Sequence, residues 1–142
     1  MNRLLFVRRH GFAYSNAVPA ADAHSLVPKK NERAQMAKLL VIEDHALVRE
    51  GLVQTLRQLD AMEVSEVADF QGANVLLERG EIFDLALLDL GLPGVDGVTC
   101  LKSFRQRYPS MPVVILSAYD DAHTVNRAMR CGAAGFVSKA SS

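Results

Sequence analysis

Polar side chains that suit one kind of chemistry follow apolar runs at four places in the chain. Glu43 and Asp44 follow the run 39–42, Asp89 follows 85–88, Ser117 follows 113–116, and Lys139 comes shortly after 135–137. Three carboxylates in one small pocket repel one another, and each resists ionising unless a cation joins them. Mg²⁺ prefers oxygen ligands and neutralises an incoming phosphoryl group. A lysine and a hydroxyl then supply donors for phosphoryl oxygens.

The segments that must position these residues alternate between strand and helix patterns. Strands are predicted over 39–42, 62–68, 85–88, 113–116 and 135–137. Between them lie a helical stripe (Val48, Leu52, Leu56, Leu59), a helix capped by Asp69 that stops at Gly80, a helix over about 98–108, and a helix capped by Asp120 or Asp121 that closes at Gly132. This α/β alternation predicts a doubly wound parallel sheet, with the chemistry at the carboxyl ends of its strands.

Composition and charge limit the class of protein. Of the 142 residues, 49% are hydrophobic and 23% charged, which fits a single globular domain. Residues 1–35 hold six basic and two acidic side chains, a net +4; because the whole chain is neutral, residues 36–142 carry −4. An acidic domain argues against a nucleic-acid surface within it. Cys100 and Cys131 lack metal-ligand spacing, so we expect reduced thiols and a cytoplasmic protein.

The first 35 residues show no lasting periodicity and are rich in small, polar and charged residues. Their one apolar run after Met1 covers only 4–7, which is shorter than the 7–15 residues, roughly, that a secretory signal needs. We expect a disordered N-terminal extension over 1–35 and one domain over 36–142. Met36 is a candidate for the natural start, since it leads directly into the first predicted strand.

Four motifs together closely resemble the CheY-like receiver domain of response regulators. They are Ile42-Glu43-Asp44-His45, Leu88-Asp89-Leu90-Gly91-Leu92-Pro93-Gly94-Val95-Asp96-Gly97, Leu116-Ser117-Ala118 and Phe136-Val137-Ser138-Lys139. The stretch 43–52 is most similar to the NarL/FixJ (LuxR-type) subfamily, whose members usually carry a DNA-binding domain after the receiver. The resemblance covers 37–140. It implies a flavodoxin-like, five-stranded parallel sheet of strand order 2-1-3-4-5.

The resemblance also implies the roles of the residues in the acidic pocket. Asp89 would be the nucleophile and phosphorylation site. Asp44 and Asp89 would ligate Mg²⁺ directly, Glu43 would act through water, and the backbone carbonyl of Gly91 would complete the protein ligands. Lys139 would pair with Asp89 or with the phosphoryl oxygens.

Four positions around the pocket would control the response to phosphorylation. Ser117 would hydrogen-bond the phosphoryl group, and Phe136 matches an aromatic switch position that moves inward as the hydroxyl residue shifts. Gly91 and Tyr119 match positions that tune how fast the acyl phosphate hydrolyses. The chain would therefore be a signalling phosphoacceptor that catalyses only its own phosphotransfer and dephosphorylation.

The same resemblance implies the partners. A sensor histidine kinase would donate the phosphoryl group, and self-association would use the face formed by the fourth helix and fifth strand. DNA would be bound only through a C-terminal domain absent from this chain, and no membrane is involved. Two alternatives stay open: a receiver-like interaction module that never takes phosphate, and a flavin- or nucleotide-binding enzyme on the same fold.

The chain departs from the family pattern at two places. Ala140 stands where many members have a proline after the lysine, which we interpret as subfamily character. The chain also stops at Ser142, where the fifth helix should begin. We therefore expect a receiver truncated before its final helix, with apolar surface on the first and fifth predicted strands facing water.

Overall fold

A parallel sheet of five strands forms the centre of the molecule in the computed structural model, which describes residues 4–6 and 36–139. The elements are β1 (Leu4–Phe6), β2 (Ala37–Ile42), α1 (Ala46–Arg57), β3 (Met62–Val67), α2 (Phe70–Glu78), β4 (Leu85–Asp89), α3 (Gly97–Arg107), β5 (Val113–Ser117), α4 (Ala122–Arg130) and β6 (Gly135–Ser138). The parallel strands lie in the order β3-β2-β4-β5-β6. This is the predicted order 2-1-3-4-5, and the flavodoxin-like fold is confirmed.

Helices cover both faces of this sheet, so the strands are buried on two sides. On one face α2, α3 and α4 pack around Leu40, Leu88 and Ile115, with Phe104 at the centre of the cluster. On the other face α1 contributes Val53 to a smaller cluster of strand side chains. These two cores hold the strand ends in fixed positions, and the polar residues that follow them are fixed in turn.

The helix termini agree largely with the sequence. Asp69 accepts a hydrogen bond from the backbone N–H of Gly72 at 2.6 Å and caps α2, as predicted. Of the two candidates for the cap of α4, Asp121 is the one that accepts a backbone bond, from Thr124 at 2.9 Å. Gly80 has a φ of +87° just after α2, the left-handed conformation that ends many helices.

The buried face of α1 differs from the predicted stripe. Val53 is its only buried residue, with Leu52 and Leu56 half-buried. Val48 is 42% exposed, and Leu59 lies beyond the helix and is 40% exposed. The prediction was wrong for these two positions. Spacings of four and three residues describe several adjacent faces of a helix, and packing against the sheet selects the face centred one residue further along.

A sixth strand joins the sheet at the edge formed by β6. β1 pairs with β6 in antiparallel fashion, with Leu4 opposite Val137 and Phe6 opposite Gly135. The sequence-based prediction of a disordered extension over 1–35 did not include this strand. For 1–3 and 7–35 that prediction lies outside the described residues.

The apolar surface expected to face water on the first predicted strand is buried instead. Leu39 and Val41 of β2 are 4% and 0% exposed. On β6, the fifth predicted strand, Phe136 is buried and Val137 is half-buried. The expectation was therefore wrong for β2, because apolar side chains of α1 pack on Leu39 and Val41. On β6 only Val137 is partly exposed. The predicted absence of a final helix and the Ala140 departure concern residues outside the described ranges.

Two further features bear on the class of protein. Cys100 is buried, Cys131 is half-buried, and both are free thiols as predicted. No helix in the described part of the chain has the length and apolar character needed to cross a bilayer.

Candidate functional site

Strand pairing brings the predicted site residues to one edge of the sheet. Ile42 pairs with Leu88, so Glu43 and Asp89, which follow them, lie side by side. Asp89 itself pairs with Leu116, the residue before Ser117. On the far side Ser117 pairs with Ser138, so Lys139 extends past the end of β5. The parallel register alone therefore places three carboxylates, a hydroxyl and a lysine at the carboxyl ends of four adjacent strands.

Lys139 joins two buried carboxylates. Its Nζ lies 2.6 Å from Oε2 of Glu43 and 3.0 Å from Oδ1 of Asp89. The lysine side chain is 17% exposed, whereas those of Glu43 and Asp89 are 0% and 3% exposed. A buried carboxylate needs a paired charge, and here one ammonium serves two of them. A backbone bond from Lys139 N–H to the carbonyl of Ser117, at 2.8 Å, fixes the start of the lysine side chain.

The local environment keeps Asp89 ionised. Burial is the largest influence on its pKa and opposes ionisation. The backbone N–H of Gly91, which donates to Oδ1 at 2.9 Å, and the Lys139 ammonium outweigh burial, so the pKa of Asp89 lies below its usual value. For Lys139, burial likewise opposes the charge, and the carboxylates of Glu43 and Asp89 outweigh it and raise the pKa of the lysine.

The carboxylates fit a divalent cation. Glu43, Asp44, His45 and Asp89 each offer a ligand atom, and these atoms lie within 4.8 Å of one another. Oδ2 of Asp89 is buried and has no hydrogen-bond partner among the described residues. An unpaired buried carboxylate oxygen is costly, and a hard cation satisfies it. The backbone N–H of Gly91 donates to Oδ1 of Asp89 at 2.9 Å, and ligation of a metal by its carbonyl stays a prediction.

The residues assigned to the response surround the same pocket. Ser117 is 2% exposed, and its Oγ accepts a hydrogen bond from the backbone N–H of Tyr119 at 3.0 Å. The hydroxyl hydrogen of Ser117 therefore remains available to another acceptor. Tyr119 is 72% exposed and lies two residues after Ser117, in the loop that follows β5. The ring of Phe136 is 1% exposed, so it already lies inside the core.

Sequence reasoning missed two residues at this edge. His45 directly follows the acidic pair, and its Nδ1 lies 3.0 Å from Oε1 of Glu43. Gly97, the first residue of α3, packs on the backbone of Leu90, so that a Cβ there would come within 2.6 Å of Leu90 Cα and closer still to its carbonyl oxygen. The adjacency of His45 to the acids was visible in the sequence, whereas the close approach of Gly97 depends on the fold.

Two more contacts hold the loops around the pocket. Arg49 of α1 donates from Nη1 to the carbonyl of Glu43 at 2.7 Å and so fixes the loop after β2. The hydroxyl of Ser138 donates to Oδ2 of Asp120 at 3.1 Å, which ties the loop after β5 to the end of β6. Neither contact was predicted, because each joins residues whose types are common in any loop.

Known proteins are similar to this chain in sequence and in fold. A family model for the response regulator receiver domain matches residues 39–142. The glycerol metabolism activator of Pseudomonas putida is 39% identical over 107 residues, which cover 75% of this chain and 48% of that protein. The transcriptional regulatory protein DegU of Brevibacillus brevis is 35% identical over 104 residues, which cover 72% of this chain and 43% of that protein. The chain spans about half the length of the curated relatives it matches.

A solved structure gives the same picture. The signal receiver domain of NarL from Mycobacterium tuberculosis superposes with a TM-score of 0.68 and is 34% identical in sequence. The match covers 76% of this chain and 87% of that domain. The predicted resemblance to receivers of the NarL-type branch is therefore confirmed.

Proposed function

Because the chain belongs to the response regulator receiver domain family of two-component systems, we propose that it accepts a phosphoryl group on Asp89, with the help of a bound Mg²⁺, and acts as a conformational switch. One observation carries the proposal. Asp89 is buried and ionised, with Oδ1 held by Gly91 and Lys139, while Oδ2 lacks a donor among the described residues. A carboxylate in that state is a nucleophile with one oxygen fixed and the other available.

The described side chains can each serve one part of the transfer. A carboxylate oxygen of Asp89 forms the new O–P bond as the bond between phosphorus and the donor's leaving group breaks. Lys139 then pairs with a phosphoryl oxygen, and Ser117 donates its free hydroxyl hydrogen to another. Mg²⁺, held by Asp44 and Asp89, by Glu43 through water and by the carbonyl of Gly91, would neutralise charge on the phosphoryl oxygens.

The contacts of Ser117 suggest how the phosphorylated state is communicated. If its hydroxyl moves toward the phosphoryl group, the loop after β5 must follow, because the N–H of Tyr119 is bonded to the same oxygen. That loop also carries Asp120, which is bonded to Ser138 on β6. Phosphorylation would thus act on the loop after β5 and on β6, the strand that carries Phe136, the proposed aromatic switch. Gly91 and Tyr119 are proposed to tune hydrolysis of the acyl phosphate.

The partners follow from the family. We propose a sensor histidine kinase as phosphodonor, a cytoplasmic location, and self-association through the face of α4 and β6. Because DegU is named a transcriptional regulator, we propose that the switch serves transcription, with DNA bound only by a domain outside these 142 residues. We assign residues 36–142 to the receiver domain and 1–35 to an extension before it.

Two observations weigh against the alternatives. A flavin or nucleotide binder on this fold would place a phosphate-binding loop after β2, and Glu43 and Asp44 put negative charge there instead. A module that never takes phosphate has no need of the buried Lys139–Asp89 pair. Both alternatives therefore lack support from the contacts of the site.

Labelling with a small phosphodonor tests the proposal. The full chain, incubated with acetyl phosphate and Mg²⁺, should gain one acid-labile, hydroxylamine-sensitive phosphoryl group, and chelation of the metal should prevent it. Asp89→Asn should not be labelled. Asp84→Asn is a matched control, because Asp84 is exposed and precedes β4 at the end of the sheet opposite the site, where asparagine can still accept the hydrogen bond from the N–H of Lys38. Equal labelling of Asp89→Asn and the parent chain would overturn the assignment.

A further inference from the structure

An imidazole lies against the carboxylates of the proposed cation site. Nδ1 of His45 is 3.0 Å from Oε1 of Glu43 and 3.3 Å from Oδ1 of Asp44. The side chain is 66% exposed, so it closes the solvent side of the pocket while Glu43 and Asp89 close the buried side. A nitrogen donor therefore faces the same small volume as three oxygen donors.

The imidazole of His45 contacts the acidic pocket and does not cap the helix that it precedes. His45 occupies the N-cap position of α1, yet its side chain makes no capping hydrogen bond. Its backbone supplies the local contacts: the N–H donates to Oε1 of Glu43 at 3.1 Å, and the carbonyl accepts from the N–H of Arg49 at 2.9 Å. Another residue at position 45 could make both backbone bonds, so helix capping does not account for the ring.

The spacing of the donors suits a metal ion. Metal bonds to imidazole nitrogen and to carboxylate oxygen are about 2.0–2.2 Å long, so donors on opposite sides of an ion lie about 4.0–4.4 Å apart. The four ligand atoms lie within 4.8 Å of one another, so shifts of a few tenths of an ångström would bring all of them to bonding distance from one ion. Oδ2 of Asp89, buried and without a donor among the described residues, points independently to a missing cation.

The chemical types of the ligand atoms determine which ion gains binding affinity from His45. Mg²⁺ takes oxygen ligands and keeps several waters, so it gains little from an imidazole. Divalent ions of the first transition row bind imidazole well, and their affinity for mixed nitrogen and oxygen sites exceeds that of the hard cations. With no ion bound, the contact of Nδ1 with Oε1 of Glu43 is a hydrogen bond that needs a proton on one of the two atoms. When an ion binds between them, Nδ1 ligates it through its lone pair and the ring carries its proton on Nε2.

We propose that His45 is a ligand of this site through Nδ1 and that it makes the site bind first-row transition ions, such as Co²⁺, in preference to Mg²⁺. The inference rests on the cation site of the proposed function, not on phosphorylation itself. It assigns the exposed ring a role in metal selectivity. The buried carboxylates provide the negative charge that attracts any divalent cation, and His45 provides the preference for transition ions over Mg²⁺.

Isothermal titration calorimetry of the full chain with Co²⁺ and, separately, with Mg²⁺ tests this. His45→Asn keeps a good N-cap residue but removes the imidazole. We expect it to weaken Co²⁺ binding by about tenfold or more, the scale of losing a metal-site interaction, and to change Mg²⁺ binding by less than about threefold. His123→Asn removes an exposed imidazole on α4 and should change neither affinity.

Two results would overturn the role of His45. One is a Co²⁺ affinity of His45→Asn within about twofold of the parent, far below the loss expected of a ligand. The other is an equal loss of Co²⁺ and Mg²⁺ affinity, which would indicate a general effect on the pocket. Labelling by acetyl phosphate and Mg²⁺ on the same variants reports on the proposed function separately. If the parent chain is labelled but His45→Asn shows no selective loss of Co²⁺ affinity, only the role of His45 is rejected. If His45→Asn selectively loses Co²⁺ affinity but the parent chain is not labelled, only the proposed phosphoacceptor function is rejected.

Discussion

Replacing Lys139 by methionine tests the electrostatics of the site most directly. Methionine keeps an unbranched side chain of similar length but removes the ammonium that lies 2.6 Å from Glu43 and 3.0 Å from Asp89. Both carboxylates are buried, so the substitution leaves two like charges in the protein without their shared counter-ion. Removing one partner of a buried ion pair typically costs about 3–5 kcal/mol. We expect the lower end of that range, because the 17% exposure of Lys139 lets water reach the pocket.

That loss is large against the stability of a domain of this size, which is typically about 5–15 kcal/mol. Urea unfolding at neutral pH in a metal-free buffer should show it as a lower midpoint with an unchanged slope. Lys102→Met is a matched control, since Lys102 is exposed on α3 and its loss should change stability by no more than about 0.5 kcal/mol. Adding Asp89→Asn to Lys139→Met should restore part of the stability, because it removes one of the two repelling charges.

The pH dependence of the same variants gives a second readout. The pKa of Lys139 is raised above 10.5 in the folded protein, so its stabilising contribution is present below the unfolded pKa and is lost as pH rises through the folded one. The stability difference between the parent and Lys139→Met should therefore shrink in strongly alkaline buffer. A Lys139→Met chain as stable as the parent at neutral pH, with no gain from Asp89→Asn, would refute this account of the buried charges.

Two further predictions concern the cation and the loop after β4. Millimolar Mg²⁺ should raise the melting temperature of the parent by mass action, and Asp44→Asn should raise it in metal-free buffer by removing a repelling carboxylate; a destabilised Asp44→Asn with no effect of Mg²⁺ would contradict both. Gly97→Ala should lower stability and slow labelling of Asp89, because its Cβ would collide with the backbone of Leu90. Gly51→Ala, with nothing within 4 Å of its Cβ on α1, should be neutral or stabilising by up to about 1 kcal/mol in the same thermal and labelling assays.

The sequence predicted where these polar residues meet because the strand ends are set by short apolar runs. Once β2, β4, β5 and β6 are recognised as buried parallel strands, their carboxyl ends must meet at one edge. Glu43, Asp44, Asp89, Ser117 and Lys139 then come together whatever the details of the helices. The structure places each of them at this edge, and the contacts of Lys139 with Glu43 and Asp89 follow from that register.

What the sequence did not predict depends on packing between distant segments. Gly97 is constrained only because α3 begins against Leu90, a contact that no local pattern encodes. The three-residue strand β1 pairs with β6, about 130 residues further along, and three residues are too few to show a period. The face of α1 was misplaced by one position because Val53 and its neighbours fit a helical spacing as well as Val48 does.

The charges of the site support the proposal that it binds a cation together with a phosphoryl group. Three carboxylates and one ammonium leave a formal charge of −2 in a pocket where Glu43 and Asp89 are 0% and 2% exposed. A phosphoryl group on Asp89 would add about one more negative charge. Lys139 carries one positive charge and already faces two carboxylates, so it cannot balance the whole negative charge, whereas a divalent ion would neutralise two units of it. Replacing a buried ion pair by well-packed apolar side chains is often neutral or stabilising, so stability alone gives no reason for acids at positions 43 and 89. The buried acids are therefore a feature that folding does not require, and they support the proposed phosphoryl chemistry.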